Sequence, residues 1–142
     1  MAIPAPEPGL AISYSYLWHC EHEAGQDEGR KERPSVIVVA IDRVMDGATL
    51  ATVLPITHSP PADPAVAVEL PAPVKRHLGL DAERSWIVVS EGNEFVWPGY
   101  DLRKVANADR YDCGFLPPRT FDKVVTAFMT CFQAGSRSTS RS

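Results

Sequence analysis

Three positions carry side chains suited to holding an anion and moving a proton. Arg33 ends the basic stretch Arg30-Lys31-Glu32-Arg33. Its guanidinium stays ionised and can grip a phosphate through two parallel N–H bonds. Thr57 closes Val53-Leu54-Pro55-Ile56-Thr57, so its hydroxyl stands at the end of a stiff apolar segment and can donate to an anion. His58 follows directly and belongs to the one residue type that ordinarily titrates near neutral pH. If the strand continued through it, His58 would point away from Thr57, and an ordinary loop histidine is the competing reading. His19 and His22 lie three residues apart, a spacing that could hold a metal on a helix, but no third ligand in a supporting pattern accompanies them. A proton-transfer role or an ordinary loop position are the other readings of the pair.

The chain that positions these groups has 142 residues and a formal net charge of −4. That length fits one domain. The acidic balance argues against coating nucleic acid or an anionic membrane through bulk charge, so any anion site must be local. Residues 1–74 carry the excess of acid and residues 75–142 a slight excess of base. The longest strongly apolar run, Val36 to Ile41, is far too short to span a bilayer, and no secretory leader is evident. Cys20, Cys113 and Cys131 are odd in number and widely spaced, which fits a reducing cytoplasm better than a disulfide framework. Proline, at 13 residues, is expelled from helix interiors and central strands, which favours short strands joined by stiff turns.

Residues 1–9 read as an extended arm. Leu10, Ile12, Tyr14, Tyr16 and Trp18 alternate with small residues and predict a strand. Residues 19–34 read as a long loop, and Val36 to Ile41 as a buried strand. Asp46-Gly47 is a hairpin signal, followed by a return strand over 48–57 with Leu50, Thr52, Leu54 and Ile56 on one face. Short strands are predicted around Val66 to Leu70, Ser85 to Ser90 and Glu94 to Trp97, with one or two helical turns over Pro73 to Leu78 stopped at Gly79. Pro117-Pro118 opens a long helix whose Phe121, Val124, Val125, Phe128 and Phe132 form one apolar stripe that should pack on the sheet. Residues 135–142 have nothing to bury and read as a disordered tail. The expected fold is mainly β with a C-terminal helix: a single small β-barrel domain over residues 10–134 with a helix laid on it.

Three stretches together resemble the MazF/PemK family of toxin ribonucleases from bacterial toxin–antitoxin systems. They are Gly29-Arg30-Lys31-Glu32-Arg33-Pro34 leading into Val36-Ile37-Val38-Val39, then Val53-Leu54-Pro55-Ile56-Thr57, and then Leu78-Gly79-Leu80 with Ser85-Trp86-Ile87-Val88-Val89 and the C-terminal amphipathic helix. The first is similar to the family's Lys-x-Arg-Pro element and the second to its Val-x-Pro-Ile-Thr strand end. Their order and spacing fit across roughly residues 9–132. Glu91 to Arg103 departs from the usual family text and looks like a subgroup signature, and the loop from Cys20 to Arg30 is longer than in compact members.

The resemblance implies an SH3-like barrel, a cytoplasmic homodimer, cleavage of single-stranded RNA with no metal or other cofactor, and growth inhibition relieved by a cognate antitoxin. It implies that Arg33 and Thr57 act at the scissile phosphate, with His58 as a candidate acid or base. It places Lys31, His19, His22, Glu91 and Asn93 near bound RNA: Asn93 could read a base edge and Glu91 orient a donor, although turn chemistry explains Asn93 equally well. Trp86, Phe95 and Trp97 could stack bases, but core or interface packing is the commoner use of such residues. Lys75 and Arg76 read as solvated surface charge. The acidic loop should weaken an acidic ligand, so the antitoxin is expected to rely on apolar contacts. Two other functions compete: a non-catalytic SH3-like module that binds a protein or RNA, and a metal hydrolase built on His19, His22 and Glu23.

Overall fold

The computed structural model describes residues 5–15, 32–42, 47–97, 102–103, 112–133 and 137–141. Strand β1 (Leu10–Ser15) pairs antiparallel with β2 (Glu32–Asp42), and β2 with β3 (Thr49–Thr57). The β2–β3 hairpin closes on Asp42 opposite Thr49, where the Thr49 hydroxyl donates to Asp42 Oδ1 at 2.8 Å. Gly47 takes φ +70°, the left-handed conformation its missing Cβ makes inexpensive; Asp46 lies outside the described residues.

The far edge of β3 is shared. Its first half pairs with β6 (Glu91–Val96), and its last two residues pair with β5 (Trp86–Val88), which carries β4 (Ala67–Glu69) on its other side. The outer edge of β1 is likewise shared between β7 (Leu102–Arg103) and β8 (Asp112–Phe115). A short 3-10 turn (Pro64–Val66) precedes β4, a short helix α1 (Ala72–His77) follows it, and α2 (Pro118–Gln133) is the long C-terminal helix. The protein is thus mainly β with one C-terminal helix of length, and among the described residues the sheet does not close on itself.

Strand alternation sorts the core onto the two faces of the sheet. Ala11, Val36, Val38, Leu54 and Ile56 face one side with Val124 of α2, and Phe121, Val125 and Phe128 pack partly buried against them. Leu10, Ile12, Tyr14, Ile37, Ala51, Val53 and Phe95 form a second cluster on the opposite face. A register shift between Ile37 and Val39 bends β2 at the centre of the sheet. The helical stripe predicted over Phe121 to Phe132 therefore packs as expected through Phe128, but Phe132 at its end is 61% exposed.

Two segments differ from the sequence expectation. The arm is pinned where it meets the sheet: Gly9 donates to the Ile37 carbonyl at 2.7 Å and accepts from Leu116 at 2.9 Å. The tail is not left loose, because Arg137–Arg141 forms strand β9, parallel to β6 from Glu91 to Phe95. Apolar burial was the wrong criterion for that segment. An open strand edge recruits a neighbour through backbone N–H and C=O groups, whatever the side chains.

Candidate functional site at the end of β3

Strand register brings two of the expected site residues to one end of the sheet. Ser35 pairs with Pro55, Val36 with Leu54 and Ile37 with Val53. The last pair of that ladder is Ser35 with Pro55, so Arg33 and Thr57 each lie two residues beyond it, at the same end of the two strands. Arg33 pairs with Tyr14 on the other side of β2, so its backbone is held in the sheet. Thr57 is half-buried and pairs with Trp86 of β5. Its hydroxyl accepts from the Ser59 backbone at 3.2 Å, which turns the chain away from the sheet at His58.

His58 leads into a cluster that sequence reasoning missed. Its Nε2 donates to Asp81 Oδ2 at 2.9 Å, and its Nδ1 stands 3.7 Å from Glu83 Oε2. Asp81 Oδ1 takes the other side of the carboxylate, accepting from Lys75 Nζ at 2.6 Å and from the Glu83 backbone at 3.1 Å. Lys75 also donates to the Glu83 carbonyl and, at 2.7 Å, to Ser85 Oγ. All three ammonium hydrogens are thereby used, which is what allows a lysine to be only 4% exposed. The surface charge expected at Lys75 is instead a buried clamp on the turn between α1 and β5. The Lys75 ammonium beside Asp81 is the main cause that holds the aspartate's carboxyl below its usual range, with the Glu83 N–H and His58 adding to it against partial desolvation.

The clamp borders a cleft of about 350 Å³ lined in part by Glu69, Arg76, Asp81 and Arg84. Arg84 holds Glu69 through paired bonds of 2.8 and 2.9 Å and lies 5.0 Å over the Trp86 ring. That hydrogen-bonded pairing lowers the Glu69 carboxyl and raises the Arg84 guanidinium. Trp86 is buried beneath it. Phe95 stacks on Tyr14 at 4.8 Å and lies 5.9 Å from Trp97, so this aromatic group fills the second core cluster.

The ligand atoms of His58, Asp81 and Glu83 lie within 4.8 Å of one another, close enough to converge on a cation. Asp81 already receives the Lys75 ammonium there. The other expected residues are scattered or undescribed. Glu91 begins β6 half-buried, while Asn93 is fully buried in the middle of that strand, opposite Val53 and Thr139. Asn93 is built into the sheet rather than set in a turn. His19, His22, Glu23 and Lys31 lie outside the described residues, as does Cys20.

The signal that could have found the clamp is weak but present. Val74 and Leu78 are the buried face of α1 and its cap, and Lys75 stands beside them, followed by acids at Asp81 and Glu83 just past the Gly79 stop. A comparison with protein-family models finds no match to this chain, and neither does one with curated proteins. Among the described residues, no helix is long and apolar enough to cross a membrane.

Proposed function

We propose that this protein is a toxin-type endoribonuclease with an SH3-like, MazF/PemK-like barrel, and that it cuts single-stranded RNA without a metal. What supports the reading is that Arg33 and Thr57 lie at the same end of the β2–β3 pair, each two residues past its last paired position, with His58 next in the chain.

In the proposed reaction the RNA's own 2′-hydroxyl attacks the adjacent phosphorus. The phosphorus–5′-oxygen bond breaks, leaving a 2′,3′-cyclic phosphate and a 5′-hydroxyl. Arg33 and Thr57 stabilise the charge that builds on the phosphoryl oxygens, and a nearby base takes the 2′-hydroxyl proton. The same reading carries a cytoplasmic homodimer and a cognate antitoxin as partners. The test is purified protein on single-stranded RNA with EDTA present. No cleavage, or Arg33→Ala and Thr57→Ala variants that cut as well as the parent, would defeat the proposal.

A second reading is a non-catalytic SH3-like module that binds a protein partner. What favours it is the pair of carboxylates, Asp81 and Glu83, that face His58 and would repel an incoming phosphate. RNA binding without strand scission, or partner capture unaffected by Thr57→Ala, would select it.

A further inference from the structure

The ribonuclease reading leaves open which group takes the proton from the 2′-hydroxyl, and the cluster beside Thr57 bears on that question. Asp81 divides its carboxylate between two partners. Oδ1 receives the Lys75 ammonium at 2.6 Å, and His58 Nε2 lies nearer Oδ2, at 2.9 Å, than Oδ1, at 3.2 Å. A carboxylate that faces a ring nitrogen accepts a hydrogen bond from it, so of the two neutral tautomers it selects the one that carries its proton on Nε2. Nδ1 then keeps its lone pair. The nearest acid to Nδ1, Glu83, is 3.7 Å away, beyond hydrogen-bond range, and its side chain is 73% exposed, so it can swing aside. Asp81 and Glu83, with Lys75 behind Asp81, are the charged groups that face His58 among the described residues.

We infer that Asp81 is a positioning residue for this reaction, and that it fixes His58 with Nδ1 free to accept the proton of the attacking 2′-hydroxyl. This rests on the ribonuclease reading given above. The 2′-oxygen bonds to phosphorus as its proton passes to Nδ1, the phosphorus–5′-oxygen bond breaks with its electron pair on the 5′-oxygen, and water supplies the proton that the leaving oxygen needs. Lys75 gives the arrangement its direction. An ammonium needs an acceptor and the only one an asparagine amide has is its oxygen, so in Asp81→Asn the amide oxygen stays with Lys75 and the NH2 group turns to His58. That donor forces the imidazole proton onto Nδ1 and blocks the base, in a side chain of unchanged size.

The experiment has two independent readouts on the full-length protein. Long-range proton–nitrogen NMR correlation, with the His58 signals assigned by their loss in His58→Gln, shows which ring nitrogen carries the proton when the ring is neutral. The expected result is Nε2–H in the parent and Nδ1–H in Asp81→Asn. Cleavage of single-stranded RNA in EDTA should fall about 10²-fold in kcat in Asp81→Asn, with KM held within about 2-fold. His58→Gln should lose a similar factor together with the acidic limb of the pH–rate profile, and adding Asp81→Asn to it should cost nothing more. If Asp81→Asn fails to fold, the parent's tautomer and the His58→Gln profile decide. A parent that cuts RNA while His58 carries its proton on Nδ1, or whose pH profile survives His58→Gln, overturns the assignment alone. A parent that leaves RNA intact overturns the ribonuclease reading, and the proton role falls with it.

Discussion

Lys75 Nζ lies 2.6 Å from Asp81 Oδ1, although the lysine side chain is 5% exposed and the aspartate side chain 51%. The ammonium is thus delivered from inside the fold to a carboxylate at the surface. Its removal should be felt mostly by the acceptors left inside. Lys75→Met keeps the aliphatic packing but takes the ammonium from the Glu83 carbonyl and Ser85 Oγ, leaving them the 3.3 Å bond that the Ser85 hydroxyl donates to that carbonyl, a loss of about 1–3 kcal/mol. Urea unfolding of the variant against the parent checks this; an unchanged midpoint would show that the clamp adds no net stability.

The same pair sets an acid limit. Asp81 has a folded-state pKa below its usual 3.8, so the stability it contributes is complete above that value and is lost as pH falls through the lowered one. Because its side chain is half exposed, solvent keeps the effect modest. The difference in stability between the parent and Asp81→Asn, read by thermal unfolding, should shrink as pH falls below about 4. A difference that grows on acidification would reverse the assigned sign.

On the ribonuclease reading, Arg33→Ala and Thr57→Ala should each reduce cleavage about 10²–10³-fold, the cost of removing one preorganised donor from a developing negative charge. Both positions lie at the end of their strand pair, so the variants should keep near-parental melting. Rates from single-turnover assays, set beside melting temperatures, separate lost chemistry from lost fold.

Bulk charge supplies no reserve of phosphate contacts here. With Arg33 and one neighbouring cation as the grip, the logarithm of RNA affinity should fall against the logarithm of salt with a slope of only about −0.7 to −1.4. Fluorescence anisotropy with an uncleavable 2′-deoxy analogue measures it. A slope of −4 or steeper would mean a basic groove that the net charge of −4 does not suggest.

The sequence was most legible where side-chain periodicity and burial coincide. Leu10, Ile12 and Tyr14 share a face, Leu54 and Ile56 share another, and Val124 anchors the amphipathic helix, all in keeping with their spacing. It was least legible where pairing is done by backbone alone. Strands β7, β8 and β9 are short or polar, and nothing in Arg137 to Arg141 announces a strand. The site divides in the same way. Arg33 and Thr57 can be placed from neighbouring text and strand register, whereas Lys75, Asp81 and Ser85 come together only because α1 and the turn after it fold back over the start of β5. A buried lysine runs against residue preference, so no single-residue propensity points to it.

Strand β9 also bears on how the molecule avoids its own copies. β6 is paired with β3 along its inner side, and Arg137 to Arg141 lie along its outer side. Stripped of that cover, the segment Glu91 to Phe95 would offer a row of unmet amide and carbonyl groups to any extended chain it encountered. The backbone of Arg137 to Arg141 meets those groups and so guards that edge of the sheet.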